Sequence, residues 1–138
     1  MKVIVIGCGR VGSAVAVSLR EAGWDVTVID EREEALGRLG DDWTGEFLVG
    51  HGMDLPLLRA AGIEDADAVV VATDGDNTNL VIGQMAQKQF GVRTVVVRCF
   101  DPARAAFYSS RGLDVVCPTS SAITTLTEAV LNAEGALR

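Results

Sequence analysis

The chain has 138 residues, enough for one domain that buries a core without metal or disulfide staples. Apolar residues make up 49% and aromatics only 5%, which suits a buried parallel sheet of Val, Ile and Ala. A net charge of −7 excludes a basic surface for nucleic acid or anionic lipid, so an anionic ligand has to be held by local donors.

The first predicted element is the strand Lys2–Ile6, followed by Gly7-Cys8-Gly9-Arg10-Val11-Gly12 and a helical pattern that stops at Gly23. Val26–Ile29 is a second strand, ending at Asp30. Strand, glycine turn, helix, strand and terminal acid form the dinucleotide-binding βαβ fingerprint. Gly7 allows the tight turn, Gly9 a close backbone approach to a pyrophosphate, and Gly12 close packing of helix on strand. Phosphates would sit on the free N–H groups of the helix opening near Arg10, and Asp30 is placed to accept both ribose hydroxyls.

Glu31–Leu39 reads as a short amphipathic helix with Ala35, Leu36 and Leu39 apolar, and Glu46–Val49 as a brief third strand. After the turn Gly50–Asp54 comes a helix over Leu55–Ala61, with Asp54 as N-cap and Pro56 in its first turn. Ala66–Ala72 is a fourth, central strand, Thr73–Asn79 a polar loop and Leu80–Phe90 a helix. Thr94–Arg98 is the fifth strand, Asp101-Pro102 opens a helix over Ala103–Arg111, and Val115-Val116 is the sixth strand. Pro118 ends it, and Thr119–Leu131 can form a last helix. Strict alternation with short turns predicts an α/β, Rossmann-like, doubly wound six-stranded parallel sheet, ordered 3-2-1-4-5-6, with residues 1–138 as a single domain.

In such a sheet a ligand lies across the carboxyl ends of the strands, at the switch between strands 1 and 4. The residues expected there are Gly7, Cys8, Gly9, Arg10, Val11, Gly12, Asp30, Glu31, Arg32, Asp54, Thr73, Asp74 and Arg98. Arg10 either touches a phosphate, reaches a neighbouring subunit or is solvated. Arg32 is placed to stack on an adenine or approach the ribose. The preceding acid would repel a 2′-phosphate, which favours NAD over NADP. Asp54 caps its helix or stands near the adenosine, and Thr73 and Asp74 either line the ligand or serve the turn. Arg98 closes a buried strand, where a guanidinium meets a phosphate or pairs with Asp74 or Asp101.

Cys8 lies inside the glycine loop, so its oxidation would block nucleotide entry. With Cys99 and Cys117 the cysteines are odd in number and lack CxxC spacing, which argues against a disulfide framework or zinc site and for a reducing cytoplasm. His51, the only histidine, has no metal-ligand spacing around it. No apolar run reaches the length of a membrane span, so membrane contact has to run through another protein. A reductase would need a proton donor beside the nicotinamide, and Lys2, Lys88, Tyr108 and His51 form no recognisable catalytic arrangement; the site reads as one that binds.

The glycine loop, Val28-Ile29-Asp30, the stretch Leu57–Asp67 with its Ala61-Gly62-Ile63 and Ala66-Asp67 segments, Ala72–Leu80 and Arg98-Cys99-Phe100-Asp101-Pro102 closely resemble the RCK N-terminal domain, also called KTN or TrkA-N. The resemblance covers nearly the whole chain. It implies a cytosolic, non-enzymatic regulatory subunit of Trk/Ktr-type potassium uptake, or a gating-ring domain of a channel, that binds NAD(H) or, as alternatives, ATP, ADP or AMP. It places phosphates at Gly7, Gly9, Arg10, Val11 and Gly12, ribose at Asp30, the adenosine side at Arg32, Asp54 and Thr73, and Arg98 near the pocket. Partners implied are a membrane-embedded potassium transporter or channel subunit, a second copy or a ring of copies, and a separate RCK C-terminal domain, which this chain is expected to lack. Pro118 is followed by Thr119 where some ATP-responsive relatives carry a glutamate, so no cation-linked ATP response is expected. The alternative reading is an NAD-dependent oxidoreductase or its cofactor-binding half.

Overall fold

Alternation within the first strand creates two cores. In β1 (Lys2–Ile6), Ile4 and Ile6 face one side and Val3 and Val5 the other, and all four are buried. A computed structural model describes residues 1–137 and places β1 at the centre of a six-stranded parallel sheet ordered β3-β2-β1-β4-β5-β6. The remaining strands are β2 (Asp25–Asp30), β3 (Glu46–Val49), β4 (Ala68–Val71), β5 (Thr94–Arg98) and β6 (Asp114–Val116). Val5 lies level with Val28 on one side and Val70 on the other, and this register carries the alternation across the sheet.

One core joins Ile4, Ile6, Ile29, Val69, Val71, Val95 and Val97 to helices α2 (Leu55–Ala60), α3 (Asp76–Gln84) and α4 (Pro102–Ser110) through Leu58, Ile82 and Ala105. The other joins Val3, Val5, Val26 and Val28 to Ala16 of α1 (Arg10–Glu21) and to Ala35 and Leu39. Each fully buried Val, Ile or Leu contributes roughly 1.5–3 kcal/mol over its exposed state, so these two layers dominate the stability of the fold. The strand order reverses between β1 and β4, and the carboxyl ends of β1, β2 and β4 point at the same edge.

Three stretches differ from the sequence expectation. Glu31–Leu39 is a 3₁₀ segment that begins at Glu33; Ala35 and Leu39 are buried, but Leu36 is exposed. Thr73–Asn79 is only half loop, because α3 begins at Asp76; its last turn then widens into a π-type turn, Met85–Gln89, before Gly91. The last helix, α5, runs from Pro118 to Leu137, longer than expected at both ends. Its residues from Ser120 to Gly135 are all exposed, so α5 stands off the domain's own sheet.

Candidate functional site

The turn from β1 into α1 can close this tightly because glycine occupies two positions that have no room for a side chain. Gly7 has φ +100°, and a Cβ on it would lie 2.6 Å from the Ala72 carbonyl oxygen. A Cβ on Gly12 would lie 1.8 Å from the Gly7 oxygen, so α1 reaches its position only with glycine there. Gly9 is the N-cap of α1, and no side chain caps it. By contrast, Asp54 caps α2 through the Leu57 N–H at 3.3 Å, and Asp101 caps α4 through the Ala103 N–H at 3.1 Å. The first N–H groups of a helix have no intrahelical partner, so the uncapped end of α1 presents free donors and the positive end of its dipole.

In front of that end lies a crevice of about 610 Å³, within the size range of small-molecule sites. Gly7 and Gly9 from the glycine loop, Asp30, Glu31 and Arg32 from the end of β2, and Thr73 and Asp74 after β4 line it. So do His51 and Thr78, from strand-end loops expected at the site, and Glu34 and Arg38, which lie outside every stretch the sequence points to. Asp30 is held rigidly: its Oδ2 accepts the Cys8 N–H and its Oδ1 the Arg32 N–H, both at 2.8 Å. Each carboxylate oxygen keeps a further lone pair for a ligand hydroxyl.

Arg38, at the end of the 3₁₀ segment, extends its guanidinium back over the glycine loop, where Nη1 donates to the Cys8 carbonyl at 3.1 Å. Nη1 is also the nearest atom to where a Cβ of Gly9 would stand, at 3.9 Å. Arg32 and Arg38 are the cations lining a crevice that also carries Asp30, Glu31, Glu34 and Asp74. At the rim, His51 Nδ1 accepts the Met53 N–H at 3.1 Å and Nε2 faces Glu31 Oε1 at 3.1 Å, linking the ends of β2 and β3.

The other expected site residues stand elsewhere. Cys8 is fully buried, its thiol donating to the Ala35 carbonyl at 3.3 Å. Burial, and then the Asp30 charge, raise its pKa, with Arg38 opposing, so the thiol stays protonated at neutral pH. Arg10 and Val11 are exposed on the first turn of α1, outside the crevice lining, and Gly12 is packed against Gly7. Asp54 serves its cap and does not line the crevice.

Arg98 lies behind the wall. Its Nη2 donates to the Ala72 and Thr73 carbonyls at 3.1 and 3.0 Å, its guanidinium lies 4.7 Å from the centre of the Phe100 ring, and Asp74 is 3.9 Å away. Asp101 pairs instead with Arg104, at 3.5 Å.

Two residues of α3 hold that wall together. Asn79 is fully buried: its Oδ1 accepts the N–H and the hydroxyl of Thr73, and its Nδ2 donates to the Thr73 and Arg98 carbonyls at 2.9 and 3.0 Å. The Asp76 carboxylate accepts the Phe100 N–H at 2.7 Å and the Asp101 N–H at 3.0 Å. Partial burial pushes the Asp76 carboxyl up, but those two amides, the Cys99 thiol and Arg104 together outweigh it and hold its pKa below the ordinary value.

Fold and crevice define a doubly wound domain of Rossmann type, with an uncapped glycine-loop helix and a strand-end carboxylate meeting at the switch point. Within that class the chain belongs to the TrkA-N domain family, whose model matches residues 3–119. The Trk system potassium uptake protein TrkA of Streptomyces coelicolor is 41% identical over 116 residues, 84% of this chain and 52% of the relative. TrkA of Mycobacterium tuberculosis is 34% identical over 129 residues, 93% of this chain and 58% of the relative. The chain therefore spans a little over half the length of these curated relatives. Among solved structures, the Shewanella denitrificans Kef CTD in its AMP-bound form superposes with a TM-score of 0.82 at 26% identity, covering 98% of this chain and 82% of that one. The GsuK channel bound to NAD gives 0.82 at 25% identity, covering 98% of this chain and 24% of the channel chain.

Proposed function

We propose that the chain is a regulatory domain that binds NAD(H), with ADP, ATP or AMP as alternative ligands, and passes its ligand state to a potassium transporter or channel. One observation carries the reading. The uncapped N-terminus of α1, Arg38 and the Asp30 carboxylate converge on a single open crevice, which matches the diphosphate and the ribose of an adenine nucleotide. The diphosphate would lie on the N–H groups of Gly9, Arg10 and Val11 with Arg38 beside it. The ribose hydroxyls would meet Asp30, and the adenine would lie toward Arg32, Glu31 and His51. Support comes from relatives named as Trk potassium uptake proteins and from structural neighbours bound to NAD, ADP and AMP.

Residues 1–138 act in this reading as one nucleotide-sensing unit, at the cytoplasmic face of the membrane, with further domains or subunits completing the assembly. In this reading contact with the membrane is made through the partner; no described helix is long and apolar enough to cross it. Ile123, Leu126 and Val130 form an exposed apolar stripe on α5 at helical spacing, which supports pairing with a second copy. The ligand acts by linkage: it shifts the assembly only by the difference in its affinity for two arrangements, typically about 1–3 kcal/mol. The role is binding, not turnover.

Calorimetric titration with NADH, NAD, ATP, ADP and AMP tests the reading. Saturable binding of at least one is expected, and no heat with any of them would overturn it.

A further inference from the structure

Outside the crevice, the ends of β5 and β6 bring two of the three cysteines together. Arg98 lies level with Val116, and the Cys99 N–H donates to the Val116 carbonyl at 3.0 Å, which continues the parallel register and sets Cys99 level with Cys117. Neighbouring strands lie about 4.8 Å apart, inside the Cα separation that a disulfide spans. Both side chains point to the same face, since Cys99 belongs to the core into which Cys117 packs. Both sulfurs also lie under one turn: the Cys99 thiol is 3.6 Å from the Asp101 carbonyl and the Cys117 thiol 3.7 Å from the Phe100 carbonyl.

Their surroundings give the two sulfurs different parts. Cys117 is half-exposed and immediately precedes α5, where it accepts the Ser120 N–H at 3.4 Å and the Ser120 hydroxyl at 3.3 Å. Cys99 is fully buried. Burial, and then the charge of Asp76, push its thiol up, so it is not the first to meet an oxidant. Cys8, in the other core, faces neither.

The geometry points to a reversible modification site: Cys117 takes oxidation from a peroxide and Cys99 resolves it as an intramolecular disulfide. In the first step the Cys117 sulfur attacks the peroxide, the O–O bond breaks, and the leaving oxygen departs as water, leaving a sulfenic acid on Cys117. In the second the Cys99 sulfur attacks that sulfenic sulfur, the S–O bond breaks, and the hydroxyl leaves as a second water with the Cys99 proton. Two thiols thereby lose two electrons and two protons to one hydrogen peroxide. The bond ties the root of α5 to β5 and removes the thiol that meets Ser120, so it acts on the helix that carries the exposed apolar stripe. It lies apart from the crevice and does not depend on what binds there.

Peptide mapping tests this without any activity assay. Trypsin places the three cysteines in separate peptides, residues 3–10, 99–104 and 112–138. After hydrogen peroxide treatment and alkylation without reductant, the 99–104 and 112–138 peptides are expected as one linked species two hydrogens lighter than their sum. Both should return as free peptides on reduction, and the 3–10 peptide should stay alkylatable once unfolded. In Cys117→Ser, Cys99 should remain a free thiol after the same treatment. Persistent free Cys99 and Cys117 in the wild-type chain, over-oxidation of Cys117 with Cys99 still free, or links between chains or to Cys8 would each overturn the assignment.

Discussion

The two halves of the sheet use their strand-end loops in opposite ways. Around β4 and β5, side chains tie most of the strand-end groups together: Asn79 and Arg98 take the Thr73 and Ala72 carbonyls, Asp76 takes the Phe100 and Asp101 amides, and Asp101 caps α4. Among the described residues, no side chain caps α3 at its Gly75 N-cap and Arg98 Nε has no hydrogen-bond partner. Around β1 and β2 the α1 end is left uncapped, Asp30 and Arg38 engage the glycine loop only at Cys8, and a crevice opens beside the carboxylate of Asp30. Both halves are rich in carboxylates and amides, so composition does not separate scaffold from site. What separates them is how many of those donors and acceptors the protein's own side chains take up, and whether a crevice is left in front of the rest.

Substitutions should therefore cost stability in one half and affinity in the other, with Gly12 as the exception that costs both. Gly12→Ala sets a methyl group against the Gly7 carbonyl and forces α1 off the sheet. It should lower unfolding stability by about 3 kcal/mol or more in chemical denaturation and abolish nucleotide binding. Asn79→Ala strips the partners from buried groups of Thr73 and Arg98 and should cost about 2 kcal/mol. Its nucleotide affinity should stay within about threefold of wild type; a larger loss would show that the two halves are not separable in this way.

Arg38→Ala is the converse case. The side chain is exposed, so stability should change by less than about 0.5 kcal/mol. Affinity for ADP should fall about tenfold, with adenosine unaffected, because a charge-assisted contact to phosphate is lost. Equal losses for ADP and adenosine would move Arg38 off the phosphates.

The smallest effect is the pH response of the tied half. The Asp76 pKa is lowered in the folded state, so its contribution is fully present above the ordinary carboxylate pKa of about 3.9 and is lost as pH falls through the lower folded value. The stability gap between wild type and Asp76→Asn, followed by urea denaturation, should narrow from pH 5 toward pH 3. A gap that widens toward acid would contradict this.

Much of this contrast was legible in the sequence. The glycine loop, Asp30 and the Asp-Pro cap of α4 are local devices, and strict β–α alternation with right-handed crossovers leaves few sheet orders open. What escaped was tertiary. Asp76–Asn79 reads as loop because Asp, Asn and Thr suit turns, yet Asp76 and Asn79 spend their side chains on β5 and on the loop after β4, which frees their backbone for the first turn of α3. No local pattern marks Arg38; it reaches the Cys8 carbonyl from a segment anchored by the buried Ala35 and Leu39, a tertiary placement. Arg98 reads as meeting a phosphate or pairing with Asp74 or Asp101; the Asp74 pair forms at 3.9 Å, while the backbone carbonyls of Ala72 and Thr73 and the Phe100 ring, which no sequence pattern points to, hold the guanidinium more closely.

Backbone amide spectra of the labelled chain, recorded while NADH is added, address the crevice residue by residue. The account predicts that the largest shifts fall on Gly9, Arg10, Val11 and Gly12, with Glu31, Arg32 and Arg38 next, while Phe100 and Asp101 stay nearly still. Saturating shifts centred on the β5–β6 loops, with the glycine loop unmoved, would contradict it.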